Sequence, residues 1–321
     1  MEPLRIGVVG VGYLGKFHAE KYAHMKDVKL VGVVDVVAER AKEIAARFGG
    51  EAFTDHKDML GRVDAVSVVV PTPLHFPISR FFLENNVDVL VEKPMTETLD
   101  QADALIEISD SRNLILQVGH LERFNPAVAA LRKVIDRPLF IESHRLSFYN
   151  PRGTEVDVVL DLMIHDIDII LSLVKSDIEH IHAVGVPVVT SKVDIANVRL
   201  VFNNGCVANV TASRISMKNV RKIRVFQKNT YVAVDYAGRN ITVIRKDGRG
   251  TNLPVPGMSM EQSTFETADC LESELTAFVK SVRHREPPLI SGRDGRNALR
   301  VARDILDQIE VGGRRVLELR S

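Results

Sequence analysis

Asp161 and His165 lie four residues apart in the largely apolar stretch Asp161-Leu162-Met163-Ile164-His165-Asp166-Ile167-Asp168, a spacing that puts both on one face of a helix. A carboxylate so placed orients the imidazole and raises its basicity, which suits His165 to take a proton from a hydroxyl group. A lone histidine on such a helix is more often a satisfied core residue. Asp166 and Asp168 read as solvated or capping carboxylates. Lys93 is the second candidate, in Glu92-Lys93-Pro94, where the proline keeps it out of helical geometry and fixes the direction of its side chain. An ammonium held in this way can donate a hydrogen bond to a reacting oxygen, with a pKa that falls as a closing pocket excludes water. Taken alone, the segment favours a solvated lysine paired with Glu92. Asp161 and His165 in the same chain tip the balance toward chemistry.

Removing a proton from an alcohol oxidises nothing unless an electron acceptor is at hand, and the start of the chain offers a place for one. Gly10-Val11-Gly12-Tyr13-Leu14-Gly15 directly follows the apolar run Leu4-Arg5-Ile6-Gly7-Val8-Val9, a glycine turn where a strand meets a helix. Gly10 allows the tight turn, and Gly12 removes the Cβ that would block a pyrophosphate. Gly15 lets the helix lie close on the strand, its amino end facing the phosphate charge. A second apolar run, Lys29 to Val34, ends at Asp35, twenty residues past Gly15. A carboxylate there accepts hydrogen bonds from an adenosine ribose and repels a 2′-phosphate, so the expected cofactor is NAD rather than NADP. An ordinary Gly-rich turn with a strand-end aspartate is the plainer alternative. Pro71-Thr72-Pro73-Leu74-His75 breaks a further strand into a rigid wall, or equally into a plain strand-to-helix loop.

The composition narrows the partners. Apolar residues make up 45% of the 321 and charged residues 26%, the balance of an ordinary globular chain. The 42 basic residues match 42 acidic ones, so neither nucleic acid nor an anionic membrane is an expected partner. Cys206 and Cys270 have no Cys-x-x-Cys or histidine spacing, which argues against a zinc site or disulfide framework and suits a reducing cytoplasm. No apolar run approaches ~20 residues, and the first strand begins almost at once, so neither a membrane span nor a signal peptide is expected.

Five apolar runs read as the first strands: Ile6 to Val9, Leu30 to Val34, Ala65 to Val70, Val87 to Val91 and Leu114 to Val118. They alternate with helical stretches such as Ala38 to Phe48, and Thr98-Leu99-Asp100-Gln101 has the capping-box spacing that opens a helix to about Ser111. Continuous apolar strands separated by helices predict a doubly wound parallel sheet, with its ligand crevice at the carboxyl ends. Beyond Pro138 the rhythm changes. Phe140 to Tyr149, Val193 to Phe202, Cys206 to Ser213, Ile223 to Gln227, Thr230 to Tyr236 and Asn240 to Arg245 are joined by Asn-Gly, Lys-Asn and Asp-Gly turns, which predicts a mostly antiparallel sheet. Helices near Val158 to Leu173 and Phe265 to Arg283 are expected to flank it. A last helix starts after Ser291-Gly292-Arg293-Asp294, and Leu253-Pro254-Val255-Pro256-Gly257 reads as a loop. The expected division is 1–122, a Rossmann domain, and 123–321, an α+β domain whose last helix is free to pack back on the first. A sheet covered on one side only leaves its other face for self-association, as a homodimer or homotetramer.

The glycine string, Asp35, Pro71-Thr72-Pro73 with His75, Glu92-Lys93-Pro94 and Asp161-x-x-x-His165 together resemble the glucose/fructose oxidoreductase, inositol dehydrogenase and MocA (Gfo/Idh/MocA) family in order and spacing, over nearly the whole chain. The resemblance implies a Rossmann domain followed by an open-faced α+β domain, an NAD(P) cofactor, and oxidation of a sugar or cyclitol hydroxyl to a ketone. It implies that Lys93 hydrogen-bonds the reacting oxygen and that Lys93 and His165 share the proton work, with Asp161 beside them. Gly10, Gly12, Tyr13, Leu14, Gly15, Asp35, Pro71, Thr72, His75, Glu92 and Lys93 form the expected cofactor set. Val118-Gly119-His120-Leu121-Glu122-Arg123-Phe124-Asn125-Pro126 is similar to bacterial members acting on nucleotide sugars, UDP-N-acetylglucosamine 3-dehydrogenases in particular. That likeness points to oxidation at C3 of a UDP-linked N-acetylhexosamine. His120, Glu122, Arg123 and Asn125 would face the sugar ring, and Arg145, Tyr149 and Arg214 the rest of the substrate, arginine forks suiting a diphosphate. A free cyclitol or monosaccharide is the alternative substrate. A non-catalytic NAD-binding sensor or scaffold is the alternative class.

Overall fold

The structure, a computed structural model, describes residues 2–151, 155–248, 257–266 and 268–318. The chain divides into two compact units, Met1–Leu121 with Asp269–Asn297, and Glu122–Ala268 with Ala298–Ser321. In the first unit, β1 (Leu4–Val9), β2 (Val28–Val34), β3 (Glu51–Phe53), β4 (Ala65–Val68), β5 (Asp88–Glu92) and β6 (Leu116–Gly119) form one parallel sheet in the order β3-β2-β1-β4-β5-β6. The order reverses between β1 and β4, which opens a crevice at their carboxyl ends. The strands read as unbroken apolar runs because helices cover both faces: Val8, Val66, Val89 and Leu90 are fully buried. The helices are α1 (Gly15–His24), α2 (Ala38–Phe48), α3 (His75–Glu84) and α4 (Leu99–Ser111). α4 begins as expected, with the Thr98 hydroxyl accepting from the Gln101 amide and the Gln101 side chain reaching back.

In the second unit α5 (Pro126–Val134) precedes β7 (Phe140–Leu146), and α6 (Ile164–Val174) precedes β8 (Ile178–Val186), β9 (Ile195–Phe202), β10 (Val207–Ser213), β11 (Val220–Gln227), β12 (Thr230–Asp235), β13 (Asn240–Lys246) and β14 (Met258–Thr264). Their order is β14-β13-β12-β11-β7-β10-β9-β8, antiparallel except where β10 runs parallel to β7. The Asn-Gly and Lys-Asn turns appear where expected, with Gly205 at φ 83° and Asn229 at φ 61°. Alternate side chains such as Ile141, Val198, Ala208 and Val225 pack with Leu131, Ile167 and Ile170 in one core. On the opposite face Glu142, His144, Lys222, Arg224 and Asp235 border a depression of about 500 Å³.

The remaining helices are α7 (Cys270–His284) and α8 (Gly292–Glu318). α7 differs from expectation. Its Leu275, Phe278, Val279 and Val282 share a core with Ile6, Tyr22 and Val33, so it covers the parallel sheet and not the antiparallel one. An apolar stripe announces that a helix will be buried, but not against which sheet. Asp269–Asn297 therefore counts with the first unit, whereas the sequence reading assigns all of 123–321 to the second. Four further elements were not anticipated: β3, which is only three residues long, α5, and the edge strands β8 and β14, whose half-exposed residues carry little hydrophobic signal. β7 stops at Leu146, short of Tyr149. Residues 253–256 of the expected proline loop lie outside the described residues. No helix among the described residues is long and apolar enough to cross a membrane.

Candidate active site

The glycine string borders a cavity of about 530 Å³ in the first unit, lined by Gly10, Gly12, Tyr13, Asp35, Arg40 and Pro71 among others. Gly10 sits at φ +87°, and a Cβ there would stand 2.3 Å from the Val69 carbonyl oxygen. At Gly15 it would stand 1.8 Å from the Gly10 carbonyl oxygen. The protein's own backbone thus requires both glycines. Gly12 is different, because nothing lies within 4 Å of an added Cβ and the residue borders the cavity. No side chain caps α1 at Leu14. An open cradle beside an uncapped helix start fits the pyrophosphate of a dinucleotide.

Asp35 is nearly buried at the cavity wall, and its carboxylate already has work to do. Oδ2 accepts from the Val11 amide at 3.1 Å and Oδ1 from the Val37 amide at 3.0 Å, while Arg40 Nη1 stands 3.1 and 3.2 Å from the two oxygens. The carboxylate therefore ties down the glycine loop and retains lone pairs for a ribose. Arg40, which the sequence reading did not pair with it, puts a positive charge beside the same position. Tyr13 and Pro71 also line the cavity; Leu14, Gly15, Thr72, His75, Glu92 and Lys93 are not among its lining. His75 is buried, with Nδ1 2.8 Å from the Pro94 carbonyl oxygen and Nε2 2.8 Å from that of Val70, and as a neutral ring it donates to one of the two. Burial holds its pKa below the ordinary histidine value, although both carbonyls and Glu92 act in the other direction. Lys93 is partly buried, between Glu92 and a cis Pro94.

Within the second unit a cavity of about 350 Å³ is lined by Ser147, Tyr149, Asp161, Arg214, Asn219 and Arg221 among others. Asp161 lies in a π-helical turn, Val159–Met163, where the Ile164 amide donates to the Val159 carbonyl. This wider turn carries Asp161, while regular α-helix begins only at Ile164, just before His165. The two residues are thus joined across a π-helical turn and the start of an α-helix, not along one continuous α-helix. Of the substrate residues read from the sequence, Tyr149 and Arg214 reach this cavity. Arg221 and Asn219 also line it and were not among the residues read from the sequence. Arg221 precedes Lys222, whose side chain belongs to the opposite face, and that alternation along β11 was the available signal.

The other polar candidates are committed to the protein. Arg123 forms a two-pronged pair with Asp168 at 2.6 and 2.7 Å, both side chains nearly inaccessible. Arg145 Nε donates to Asp166, which also accepts from the Ser143 hydroxyl at 2.7 Å, and Arg145 Nη1 donates to Glu122 at 2.9 Å. Burial alone would lower the Arg145 pKa, but the charges of Asp166 and Glu122 outweigh it and hold it above the ordinary value. Asp166 and Asp168 are thus neither solvated nor capping; they are buried because each has a guanidinium partner. Asn125 caps α5 through the Ala127 amide at 3.1 Å, and His120 is buried after β6. Among the described residues no group of three His, Cys, Asp or Glu side chains is arranged to hold a metal ion.

Comparison with known proteins agrees with this architecture. Residues 4–120 match the oxidoreductase family with an NAD-binding Rossmann fold, and residues 132–231 match the GFO/IDH/MocA C-terminal domain. The UDP-N-acetylglucosamine 3-dehydrogenase of Acidithiobacillus ferrooxidans is 38% identical over 96% of this chain and 97% of its own length. A solved structure of that enzyme superposes with a TM-score of 0.92 over 97% of this chain and 99% of its own, at 38% identity. The myo-inositol 2-dehydrogenase of Thermotoga maritima is 28% identical over 92% of this chain and 93% of its own length. The chain belongs to the Gfo/Idh/MocA family of oxidoreductases.

Proposed function

We propose that the protein oxidises a secondary hydroxyl of a nucleotide sugar, UDP-N-acetylglucosamine at C3, to the ketone, with NAD as cofactor. The observation that carries the cofactor reading is the Gly12 cradle, open where Gly10 and Gly15 are closed. The substrate reading is supported by the full-length relative whose name states that activity. Gly10, Gly12, Tyr13, Asp35 and Pro71 hold the dinucleotide, Asp35 through the adenosine ribose. Bound nicotinamide supplies the acceptor for the hydride that leaves the carbinol carbon. Lys93 donates a hydrogen bond to the reacting oxygen, His165 takes the hydroxyl proton, and Asp161 supports the imidazole. Tyr149 and Arg214, joined by Arg221, serve the substrate's polar groups. Arg123, Asn125 and Arg145 belong to the scaffold. The open face of the antiparallel sheet joins copies of the chain into a homodimer or homotetramer, and the enzyme works in the cytoplasm.

The test is to incubate purified protein with NAD and UDP-N-acetylglucosamine and follow the absorbance of the reduced cofactor. Turnover with the nucleotide sugar and none with free N-acetylglucosamine or inositols supports the proposal. The inositol dehydrogenases among the relatives favour a second reading, a free cyclitol as substrate, which the reverse result would establish. Silence with every substrate while NAD still binds would point to a sensor.

A further inference from the structure

The end of β5 carries a buried charge that the cofactor cavity does not use. Glu92 is the last residue of the strand, and its carboxylate meets three neighbours within the first unit. His18 Nε2, in the first turn of α1, lies 3.3 Å from Oε1, and the Lys93 amide donates to Oε2 at 3.3 Å. On the third side lies Gly119, at the end of β6. A Cβ on that residue would stand 2.9 Å from Cδ and from both carboxylate oxygens, so only glycine leaves the carboxylate its place. Burial alone would raise the Glu92 pKa, yet His18, Lys93 and His75 outweigh it and hold the group below the usual glutamate value. Glu92 is therefore an anion next to Lys93. Beyond Lys93 the chain is fixed again, where His75 Nδ1 meets the Pro94 carbonyl.

We propose that Glu92 is a positioning residue for Lys93, with its carboxylate set by His18 and given room by Gly119, while His75 anchors the following residue. This rests on the reading that Lys93 acts on the reacting hydroxyl. His18 stands in the helix whose start borders the glycine cradle, so the same helix that receives the cofactor also sets the anion that steers the ammonium. The influence is reciprocal: if Lys93 stabilises the Glu92 anion, Glu92 stabilises the Lys93 ammonium to the same degree.

Two readouts test the proposal. In the first, Lys93 in the cofactor-free protein is acylated with acetic anhydride at fixed pH and the extent read by peptide mass spectrometry. Glu92→Gln removes the charge while keeping the shape, and should speed labelling of Lys93 about fivefold, because more of the amine is unprotonated. Unchanged labelling overturns the proposal. In the second, Glu92→Gln and Gly119→Ala should each lower kcat at least tenfold with NAD affinity within about twofold, and neither should lower it further in a Lys93→Ala background. Losses that simply multiply with that of Lys93→Ala, or that fall on NAD affinity instead, would make Glu92 a structural or cofactor residue and overturn it. Wild-type turnover in Lys93→Ala alone would refute the catalytic reading of Lys93, whereas the labelling result still reports whether Glu92 governs its ammonium.

Discussion

The glycine loop of the first unit and the arginines of the second both carry residue types suited to binding phosphate, and they behave in opposite ways. In the loop, capacity is left open. Gly12 has empty space where a side chain would be, and α1 begins without a cap. In the second unit Arg123 and Arg145 are closed off by Asp168, Asp166 and Glu122. The difference shows that a cation in a sequence is free for a ligand only when the fold has not already given it an anion. Arg214 and Arg221 reach the wall of a cavity but are also engaged, Arg214 Nη2 donating to the Val156 carbonyl and Arg221 Nη1 standing 3.5 Å from Glu122, although all four look alike in a string of letters.

That contrast can be broken most forcefully at the buried pair. Arg123→Ala leaves Asp168 charged, inaccessible and without its guanidinium, which should cost about 3–5 kcal/mol of stability. Thermal melting or urea titration measures this. A loss under about 1 kcal/mol, accompanied by a large rise in KM, would return Arg123 to the substrate. The catalytic assignments are expected to behave in the reverse sense. Lys93→Ala and His165→Ala should each reduce kcat by at least ~10²-fold with little change in melting temperature or NAD affinity. Steady-state kinetics decide it, and normal rates in either variant remove that residue from the mechanism.

The glycines allow the comparison to be sharpened inside one loop. Gly15→Ala places a Cβ against the Gly10 carbonyl and should destabilise the fold by about 1–3 kcal/mol. Gly12→Ala meets no protein atom, so its effect on stability should stay within about 0.5 kcal/mol. NAD should nevertheless bind at least tenfold more weakly, since the new methyl group takes space reserved for the pyrophosphate. Calorimetric titration of both variants separates a glycine kept for the fold from one kept for the ligand. Unimpaired NAD binding by Gly12→Ala would remove the observation on which the cofactor reading stands.

Much of this was legible from local pattern. The glycine turn, the Thr98 capping box and the Asn-Gly hairpin are set by residues within a few positions of each other, and each appears where its letters place it. What was not legible depends on residues distant in the chain. Asp166 and Asp168 looked solvated because their partners, Arg145 and Arg123, stand 21 and 45 residues away. α7 looked like a cover for the second sheet because it follows β14 in the chain, yet its apolar stripe packs among residues of β1 and α1 more than two hundred positions earlier. His18 gave no signal at all, since its partner is the carboxylate at the end of β5. Sequence pattern announces how an element is built, and only the fold reveals what it faces.

The smallest expected effect lies at Arg40, where the open and the committed behaviours meet in one residue. Its guanidinium is half exposed and shared with Asp35, so it is neither buried scaffold nor a free cation. An aspartate alone repels a 2′-phosphate, whereas an adjacent arginine offsets part of that repulsion, because a carboxylate and a guanidinium at about 3 Å present little net field to an incoming anion. NAD should therefore be preferred over NADP, but by a margin that Arg40 narrows. Arg40→Ala should widen the preference by up to about tenfold, chiefly by weakening NADP, because the ribose contact to Asp35 does not depend on the arginine's charge. Competitive titration of the two cofactors measures the ratio. If removing Arg40 weakens NAD as much as NADP, the residue serves to hold Asp35 in place, and the preference for NAD rests on the carboxylate alone.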